Sequence, residues 1–304
     1  MSLLALVAAL LIEQWRPLAN RGYLYSRAAR YANFIERKLN AEEAEHGAIA
    51  WVLAVVPTVA GAWLVYSAAT RLSPALGLLV NVAALYVTMG FRQRSHYFTE
   101  IHLALKDNDL ARARRSLAAW RGASCDDLDQ EAIARLTIEE ALIASHRYVF
   151  GVAFWFVLLP GPIGAVLYRA ARFLAQRWCS PETEPFGRFA GRIFLIIDWL
   201  PVRCTAAAFA VVGDFEDAVH CWRTQARKWP DPLLGVVLAA GAGAMGVRLG
   251  MSVSEHGETV SRPELGLGDD ADTAHLDSTV GLVWRALVMW LALFMALGIA
   301  AAVS

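Results

Sequence analysis

Long uncharged stretches alternate along this chain with stretches rich in arginine. Ala48–Tyr66 has no charged residue over nearly the length that a helix needs to cross about 30 Å of hydrocarbon. Leu76–Met89 follows it after a short turn, so the two segments predict a helical hairpin across a membrane. Val280–Val303 predicts a third span, because its single charge, Arg285, lies close to its start.

A fourth apolar segment, Val149–Tyr168, contains the sequence Pro160-Gly161-Pro162. Proline inside a helix removes a backbone hydrogen bond, so the helix must kink or end there. The segment therefore either crosses the membrane or turns back as a re-entrant segment. Ser2–Ile12 is also apolar and lacks the basic start and cleavage site of a signal peptide, so it predicts a retained short span or an interfacial anchor.

Helical patterns also fill the segments between the spans, and no stretch shows the alternation that is typical of a strand. We therefore predict an all-α, polytopic integral membrane protein with about four membrane segments, one of them either spanning or re-entrant. It forms a single membrane domain over residues 1–304. Residues 91–147 form a cytoplasmic helical insertion, and residues 251–278 form a polar loop before the last span.

Basic residues set the expected orientation. They concentrate in the loops before and after the hairpin, whereas the turn between its two segments holds only Arg71. The positive-inside tendency places both loops on the cytoplasmic side. We thus expect a multi-pass protein of the bacterial inner membrane whose main helical loops face the cytoplasm.

Composition narrows the partners and cofactors. Hydrophobic residues make up 57% of the chain and charged residues 18%, with a formal net charge of zero. These values favour the lipid bilayer as a partner and give no reason to expect nucleic acid. The four cysteines show neither CxxC spacing nor clustering with histidine, so neither a metal site nor a disulfide framework is predicted.

Two groups of polar residues lie at helical spacing. Arg92, His96 and Glu100 recur every four residues and so share one helix face, which is either an ion-paired surface or a ligand-binding face. Glu139 and His146 are seven residues apart, as are Glu140 and Arg147, just ahead of an apolar segment. Titratable groups are costly there unless they are paired or functional.

We take Glu139, Glu140 and His146 as candidate catalytic residues on that argument. Asp198 and Arg203 interrupt a further apolar run on either side of Pro201. They form either an internal salt bridge or part of a site, because residues five apart do not stack on one helix face. No phosphate-binding loop, nucleophile elbow or zinc-protease motif identifies an enzyme class.

Five short segments, in their order along the chain, resemble the CobD/CbiB family of cobalamin-biosynthesis membrane proteins. They are LKDNDLARARRSL near residues 104–117, GPIGAVLYRA at 161–170, LPVR at 200–203, GAMGVRLG at 243–250 and RPELGLGD at 262–269. The resemblance covers most of the chain. It implies ATP-dependent amide ligation that attaches an aminopropanol or aminopropanol phosphate arm to cobyric acid, with ATP and magnesium as cofactors only if that activity is retained.

Several acidic and amide positions of the family pattern hold other residues in this chain. Only Glu140 matches the pattern E-T-x-x-E-N-T-x-D-G. Further such positions hold Arg172, Ala175, Phe194, Leu195 and Leu238. Arg192, Arg203 and Pro232 match the family, so the resemblance implies Glu140 in a catalytic role and Arg192 and Arg203 as ligands of an anion. The lost oxygen donors are the kind that a nucleotide-bound magnesium needs.

The middle of the chain also resembles the AmpE family, inner-membrane proteins linked to regulation of β-lactamase induction. FRQRSHYFTEIHLAL, RYVFGVAFWFV and IDWLPVR followed by AVVG carry this resemblance. Two hypotheses follow. The first is an enzyme or enzyme remnant of the cobalamin pathway, in which Glu140, Arg192 and Arg203 bind the phosphate of ATP or an anionic small-molecule or corrinoid ligand, with Asp198 as a further candidate ligand-binding residue. The second is a non-catalytic sensor that engages a membrane or cytoplasmic protein partner through the face of Arg92, His96 and Glu100.

Overall fold

A computed structural model gives the fold of residues 2–15, 21–39, 44–179, 186–255 and 258–303. Contacts group the chain into two compact units. Unit 1 comprises the residues up to Gly90 together with Gly151–Leu200, and unit 2 comprises Phe91–Phe150 together with the residues from Pro201 onward. Compact units defined by contacts are not membrane domains, so the predicted extent of the membrane domain stays a prediction.

Helices make up most of the described chain, which confirms the all-α class. In chain order the helices are α1 (Ser2–Trp15), α2 (Arg21–Leu39), α3 (Ala44–Leu72), α4 (Pro74–Thr88), α5 (Phe91–Lys106), α6 (Leu110–Arg121), α7 (Gln130–Ser145), α8 (Gly151–Leu158), α9 (Ile163–Trp178), α10 (Arg188–Val212), α11 (Phe215–Thr224), α12 (Pro232–Met245) and α13 (Thr273–Val303). A π-helical turn at His146–Phe150 joins α7 to α8, and a 3-10 turn at Ala226–Lys228 precedes α12.

The core of unit 1 forms where α2 and α9 pack against α3. The rings of Trp178 and Phe186 meet edge to face at 5.1 Å between centroids. Small residues of α3, among them Ala50 and Ala54, are buried against them. Helix α1 packs on α4, which returns against α3 after the turn that Ser73 caps. The predicted hairpin is therefore an antiparallel helix pair held by further helices.

The core of unit 2 is formed by α7 and α12, which are buried over most of their lengths. Glycines of α12 permit the close approach of neighbouring helices. A Cβ atom added at Gly241 would lie 2.7 Å from Leu142 Cδ1 of α7, and one at Gly243 would lie 2.5 Å from the Asp217 carbonyl oxygen of α11. The two glycines lie on opposite faces of α12, so a larger residue at Gly243 would meet the backbone of α11, whereas one at Gly241 would require the Leu142 side chain to move.

Four helices among the described residues are long and apolar enough to cross a membrane. They are His46–Leu72, Gln130–Leu158, Arg188–Val212 and Thr273–Ala300. This finding confirms the class of polytopic helical membrane protein, and the first and last of the predicted spans are among the four candidates. The second arm of the hairpin, α4, has 15 residues, so its length of about 22 Å is less than the thickness of the hydrocarbon core.

The predicted fourth segment, Val149–Tyr168, is not one helix. Helix α8 ends at Leu158 before the Pro160–Pro162 turn, and the apolar helix extends backward to Gln130 instead. The sequence prediction also missed Arg188–Val212 as a candidate span. Polar residues interrupt this helix, as they do Gln130–Leu158. The predicted cytoplasmic insertion over residues 91–147 overlaps the helix that begins at Gln130, and its location stays a prediction.

The predicted polar loop over residues 251–278 contains regular structure. Strands β1 (Val253–Glu255) and β2 (Glu258–Val260) pair antiparallel, and α13 begins inside the predicted range at Thr273. The Asp272 Oδ1 atom accepts a hydrogen bond from the His275 backbone N–H at 2.9 Å and so caps this helix. That N–H holds the pKa of the Asp272 carboxyl group below its usual range.

Two helices contain an internal proline, and an aromatic side chain bonds the carbonyl that each proline leaves without its helical donor. Pro57 has no N–H to donate to the Leu53 carbonyl, which instead accepts from the Tyr31 hydroxyl at 3.0 Å. In α10, the Ile197 carbonyl lies four residues before Pro201 and accepts from Trp155 Nε1 at 3.2 Å. These bonds supply the hydrogen-bond donors that the hydrocarbon of a membrane lacks.

We expect Tyr31→Phe to destabilise the protein by about 1 kcal/mol, because the Leu53 carbonyl loses its donor while the ring is kept. The melting temperature of the detergent-solubilised protein measures this effect. Tyr23→Phe is the matched control, since Tyr23 and Tyr31 are both exposed tyrosines of α2 and Tyr31 is the one whose hydroxyl bonds the Leu53 carbonyl. Equal melting temperatures for the two variants would show that the hydroxyl of Tyr31 contributes nothing.

Candidate functional site

Glu139 is a buried carboxylate in the middle of α7. Its Oε2 atom accepts a hydrogen bond from Arg262 Nη1 at 2.8 Å, and its Oε1 atom accepts from the Gly250 backbone N–H at 2.9 Å. The same guanidinium donates to the carbonyl oxygens of Gly250 and Met251, and lies 5.4 Å from the centre of the Trp229 ring. Glu139 therefore serves as the anchor of the segment that contains Arg262.

Two short segments, residues 243–250 and 262–269, bind one another beside Glu139. Leu249 and Leu265 exchange backbone hydrogen bonds of 2.7 and 2.9 Å, and the Arg248 N–H donates to the Asp269 carbonyl at 2.9 Å. Gly250 has a φ of +80°, and a Cβ atom there would lie 2.0 Å from the Pro263 carbonyl oxygen. Only glycine fits this close crossing of two backbones.

Glu140, the next residue on α7, lies among arginines. Its Oε1 atom is 3.7 Å from Arg121 Nε, and Arg147 and Arg94 also act on the carboxylate electrostatically. The Glu140 side chain keeps 31% of its surface exposed, whereas Glu139 keeps 6%. Of these two neighbouring acids, Glu140 is therefore the one that a ligand can reach.

Arg147 and Arg94 extend this site on both sides. Arg147 Nη2 lies 4.0 Å from Asp231 Oδ2, while its buried Nε atom has no hydrogen-bond partner in the described part of the chain. Asp231 is also the N-cap of α12, where its Oδ1 atom accepts from two backbone N–H groups. Arg94 Nη2 donates to the Tyr148 hydroxyl at 3.2 Å. We name Arg94, Arg121, Glu140, Arg147 and Asp231 the Glu140 cluster.

The Glu140 cluster carries more positive than negative charge. It sets the guanidinium groups of Arg94, Arg121 and Arg147 against the carboxylates of Glu140 and Asp231. Arginine forks match phosphate and carboxylate oxygens, so the cluster suits a small anion. Magnesium does not fit it, because that ion needs several free oxygen donors. Over the described ranges, no group of three or more His, Cys, Asp or Glu residues is arranged to hold a metal ion.

The structure places the third predicted catalytic residue, His146, in the core of unit 2. The ring is fully buried, and its Nδ1 atom lies 3.0 Å from Thr205 Oγ1. Thr205 Oγ1 also lies 3.0 Å from the Pro201 carbonyl oxygen one turn earlier in α10. His146 therefore links the π-helical turn to α10, and its catalytic role stays a prediction.

Arg92, His96 and Glu100 all lie on α5, as their spacing predicts. Arg92 and His96 are exposed, while the half-buried Glu100 accepts a hydrogen bond from the Ser116 hydroxyl of α6 at 3.3 Å. Glu100 thus helps to join two helices. A ligand-binding role for this face stays a prediction.

The remaining predicted ligand-binding residues divide between the two units. Arg192 and Asp198 belong to unit 1, and Arg203 belongs to unit 2. Asp198 is buried and accepts a hydrogen bond from the Tyr168 hydroxyl at 2.9 Å, whereas Arg192 is exposed and Arg203 is half-buried. The anion-binding role of these three residues stays a prediction.

Sequence reasoning did not single out four residues that the structure brings to Glu139 and Glu140. They are Arg94, Arg121, Asp231 and Arg262. Arg262 lies within the segment RPELGLGD, which was already one of the motifs. Arg94 and Arg121 contributed only to the expected orientation, because their positions far apart in sequence gave no sign that they meet one carboxylate.

Comparison with known proteins decides the family. A family model described as "CobD/Cbib protein" matches residues 3–283. The chain belongs to the CobD/CbiB family. This result confirms the resemblance of the five ordered segments, while the resemblance to the AmpE family stays a prediction.

Relatives within the CobD/CbiB family match nearly the whole chain. "Cobalamin biosynthesis protein CobD" of Stutzerimonas stutzeri (strain A1501) is 35% identical over 294 residues, which cover 95% of each chain. The protein of the same name from Chromobacterium violaceum is 37% identical over 255 residues, covering 83% of this chain and 80% of its own. "Cobalamin biosynthesis protein CbiB" of Salmonella typhimurium is 27% identical over 261 residues, with 82% and 81% covered. No solved structure gives a significant match.

We expect Glu139→Ala to destabilise the protein by about 3–5 kcal/mol, because it leaves the Arg262 guanidinium largely buried without its carboxylate. The double variant Glu139→Ala/Arg262→Ala should lose less than the sum of the two single variants. Thermal unfolding in detergent measures all three variants.

Glu264→Ala serves as the control for this cycle. Glu264 lies two residues from Arg262, but its ion pair with Arg248 is exposed, so its loss should cost less than about 1 kcal/mol. If Glu139→Ala unfolds at the temperature of Glu264→Ala, the Glu139–Arg262 pair does not anchor this segment.

Proposed function

We propose that this protein acts in cobalamin biosynthesis and that the Glu140 cluster binds an anionic group of the substrate. The reaction implied by the resemblance joins the carboxylate of cobyric acid to the amine of an aminopropanol or aminopropanol phosphate arm, driven by ATP. The observation that carries the proposal is the excess of arginine around the partly exposed Glu140, with the buried Arg147 Nε atom lacking a hydrogen-bond partner in the described chain.

The chemistry of an aminopropanol phosphate complements this cluster. Its phosphate would accept hydrogen bonds from Arg147 and Arg121, and its ammonium group would donate to the Glu140 carboxylate. Charge-assisted bonds of this kind are stronger than neutral ones and are favoured where the side chains are partly buried. The carboxylate of cobyric acid is a second anion that an arginine fork accepts.

The location of the protein is part of this proposal. Its candidate spans support a place in a membrane, and the positive-inside tendency of the loops around the predicted hairpin supports the bacterial inner membrane with those loops in the cytoplasm. Soluble substrates such as ATP and an aminopropanol phosphate would then reach the chain from the cytoplasmic side.

A regulatory function without catalysis is the second candidate. Two of the three predicted catalytic residues hold the fold together, since Glu139 binds Arg262 and His146 bonds with Thr205. This observation favours an AmpE-like sensor in which the Glu140 cluster binds an anionic signal. In that case the same arginines would bind the anionic signal, and the protein would catalyse no amide ligation.

Growth of a cobalamin auxotroph that lacks its own CbiB-type protein tests the enzymatic proposal. The parent protein should restore growth, and Glu140→Gln and Arg147→Gln should each reduce it at least about tenfold, because each removes a charged contact to the substrate. Arg115→Gln is the matched control, since Arg115 is exposed on α6. It should restore growth as the parent does.

Immunoblots of membrane fractions show whether each variant is expressed and inserted. Growth that is unaffected by Glu140→Gln and Arg147→Gln would contradict the Glu140 cluster as the substrate site. Failure of an inserted parent protein to restore growth would favour the regulatory function.

Ligand-induced stabilisation provides a separate measurement on the purified protein. Aminopropanol phosphate at about 100 times its dissociation constant should stabilise the parent by about 2.7 kcal/mol. Aminopropanol without the phosphate should stabilise it much less, and Arg147→Gln should abolish the difference between the two compounds. Equal stabilisation of the parent and the variant by aminopropanol phosphate would place the anion elsewhere.

A further inference from the structure

Unit 1 contains a cavity of about 280 Å³ that the proposed function does not use. Helices α2, α3, α4 and α9 line it, and it opens to the surface of unit 1 beside the exposed Tyr25 and Ala28. Small side chains create the space, among them Ala28, Ala32, Ala54 and Ala170. This volume lies below the roughly 300–1,000 Å³ of pockets for drug-sized ligands, so it suits a slender occupant rather than a corrinoid.

The walls of this cavity are apolar apart from one edge. The hydroxyl hydrogens of Thr58 and Thr88 are donated to carbonyl oxygens one turn earlier in their own helices. The Tyr31 hydroxyl is likewise donated to the Leu53 carbonyl. At the remaining edge, Arg169 Nη2 donates to the Tyr25 hydroxyl at 2.5 Å, which holds the half-buried guanidinium beside the cavity.

The helices that carry this edge are basic and aromatic. Helix α2 has five basic residues and one acidic residue, and α9 has three basic residues and no acidic one. Tyr23, Tyr25 and Phe34 of α2 are exposed, and Arg27 and Lys38 lie over the rings of Tyr23 and Phe34. A basic helix with exposed aromatic side chains is typical of a membrane surface that contains anionic lipid.

We propose that the cavity holds one acyl chain of an anionic phospholipid whose phosphate binds Arg169 and Tyr25. The apolar walls match the chain, and the guanidinium matches the headgroup. The lipid would then be a specific ligand of unit 1 rather than only its solvent. This proposal is independent of the Glu140 cluster, whose residues all belong to unit 2.

Delipidated protein in detergent tests the proposal with three probes. These are phosphatidylglycerol, phosphatidylcholine with the same acyl chains, and inorganic phosphate. Native mass spectrometry should show one retained phosphatidylglycerol per chain, and thermal unfolding should show saturable stabilisation by that lipid. Phosphatidylcholine should bind at least about tenfold more weakly, and inorganic phosphate should have no effect.

Two variants assign the parts of the lipid to the parts of the site. Arg169→Gln should weaken phosphatidylglycerol binding about tenfold, whereas Arg169→Lys keeps the charge and should retain the preference for the anionic headgroup. Ala28→Leu should block the chain, because Ala28 lines the cavity. Arg30→Gln is the matched control, since residue 30 lies on the side of α2 opposite Ala28 and Ala32.

Four results would each overturn the proposal. Equal binding of the two lipids would exclude recognition of the anionic headgroup, and stabilisation by inorganic phosphate alone would exclude the need for a chain. Equal losses in Arg169→Gln and Arg30→Gln would show general attraction to a basic surface. Unchanged lipid binding in a folded Ala28→Leu variant would place the chain outside the cavity.

Discussion

Hydrocarbon offers no hydrogen-bond partner, and the helices of this protein meet that constraint with side chains from other helices. Tyr31 and Trp155 donate to the carbonyls that Pro57 and Pro201 leave without a helical donor. The buried carboxylate of Glu139 receives the Arg262 guanidinium and a backbone N–H. Each of these bonds joins two parts of the chain. The hydrogen bonds that satisfy buried polar groups therefore also hold the helices in their packed positions.

The same constraint explains which spans the sequence could predict. His46–Leu72 and Thr273–Ala300 are recognisable from hydropathy because their apolar windows are almost free of charge. Gln130–Leu158 and Arg188–Val212 contain buried polar residues such as Glu139 and Asp198, whose partners lie far away in sequence. The sequence prediction took such residues as interruptions of an apolar segment, so it did not assign Arg188–Val212 as a span, and the cytoplasmic placement of residues 91–147 stays a prediction.

The sequence likewise predicted only part of the candidate site. Sequence reasoning found Glu139 and Glu140 from their place ahead of an apolar segment, but it could not tell a structural acid from an accessible one. That difference depends on Arg262, which is 123 residues from Glu139 and binds its Oε2 atom, while the Gly250 N–H binds its Oε1 atom. Arg94, Arg121 and Arg147 come from α5, α6 and the π-helical turn, and only the packing of these elements around α7 gathers them at Glu140.

Two of the motifs that resemble the family meet in the fold at their glycines. The segments GAMGVRLG and RPELGLGD are separate in sequence, yet in the fold they form one structure through the Leu249–Leu265 bonds. Gly250 and Gly266 have positive φ angles, and a Cβ atom on either would lie about 2 Å from a carbonyl oxygen of the other segment. Neither segment can change at these positions without displacing its partner. The contact between the two segments also orients Arg262 toward Glu139. A change in either motif would therefore disturb the binding of Arg262 to the buried acid of α7.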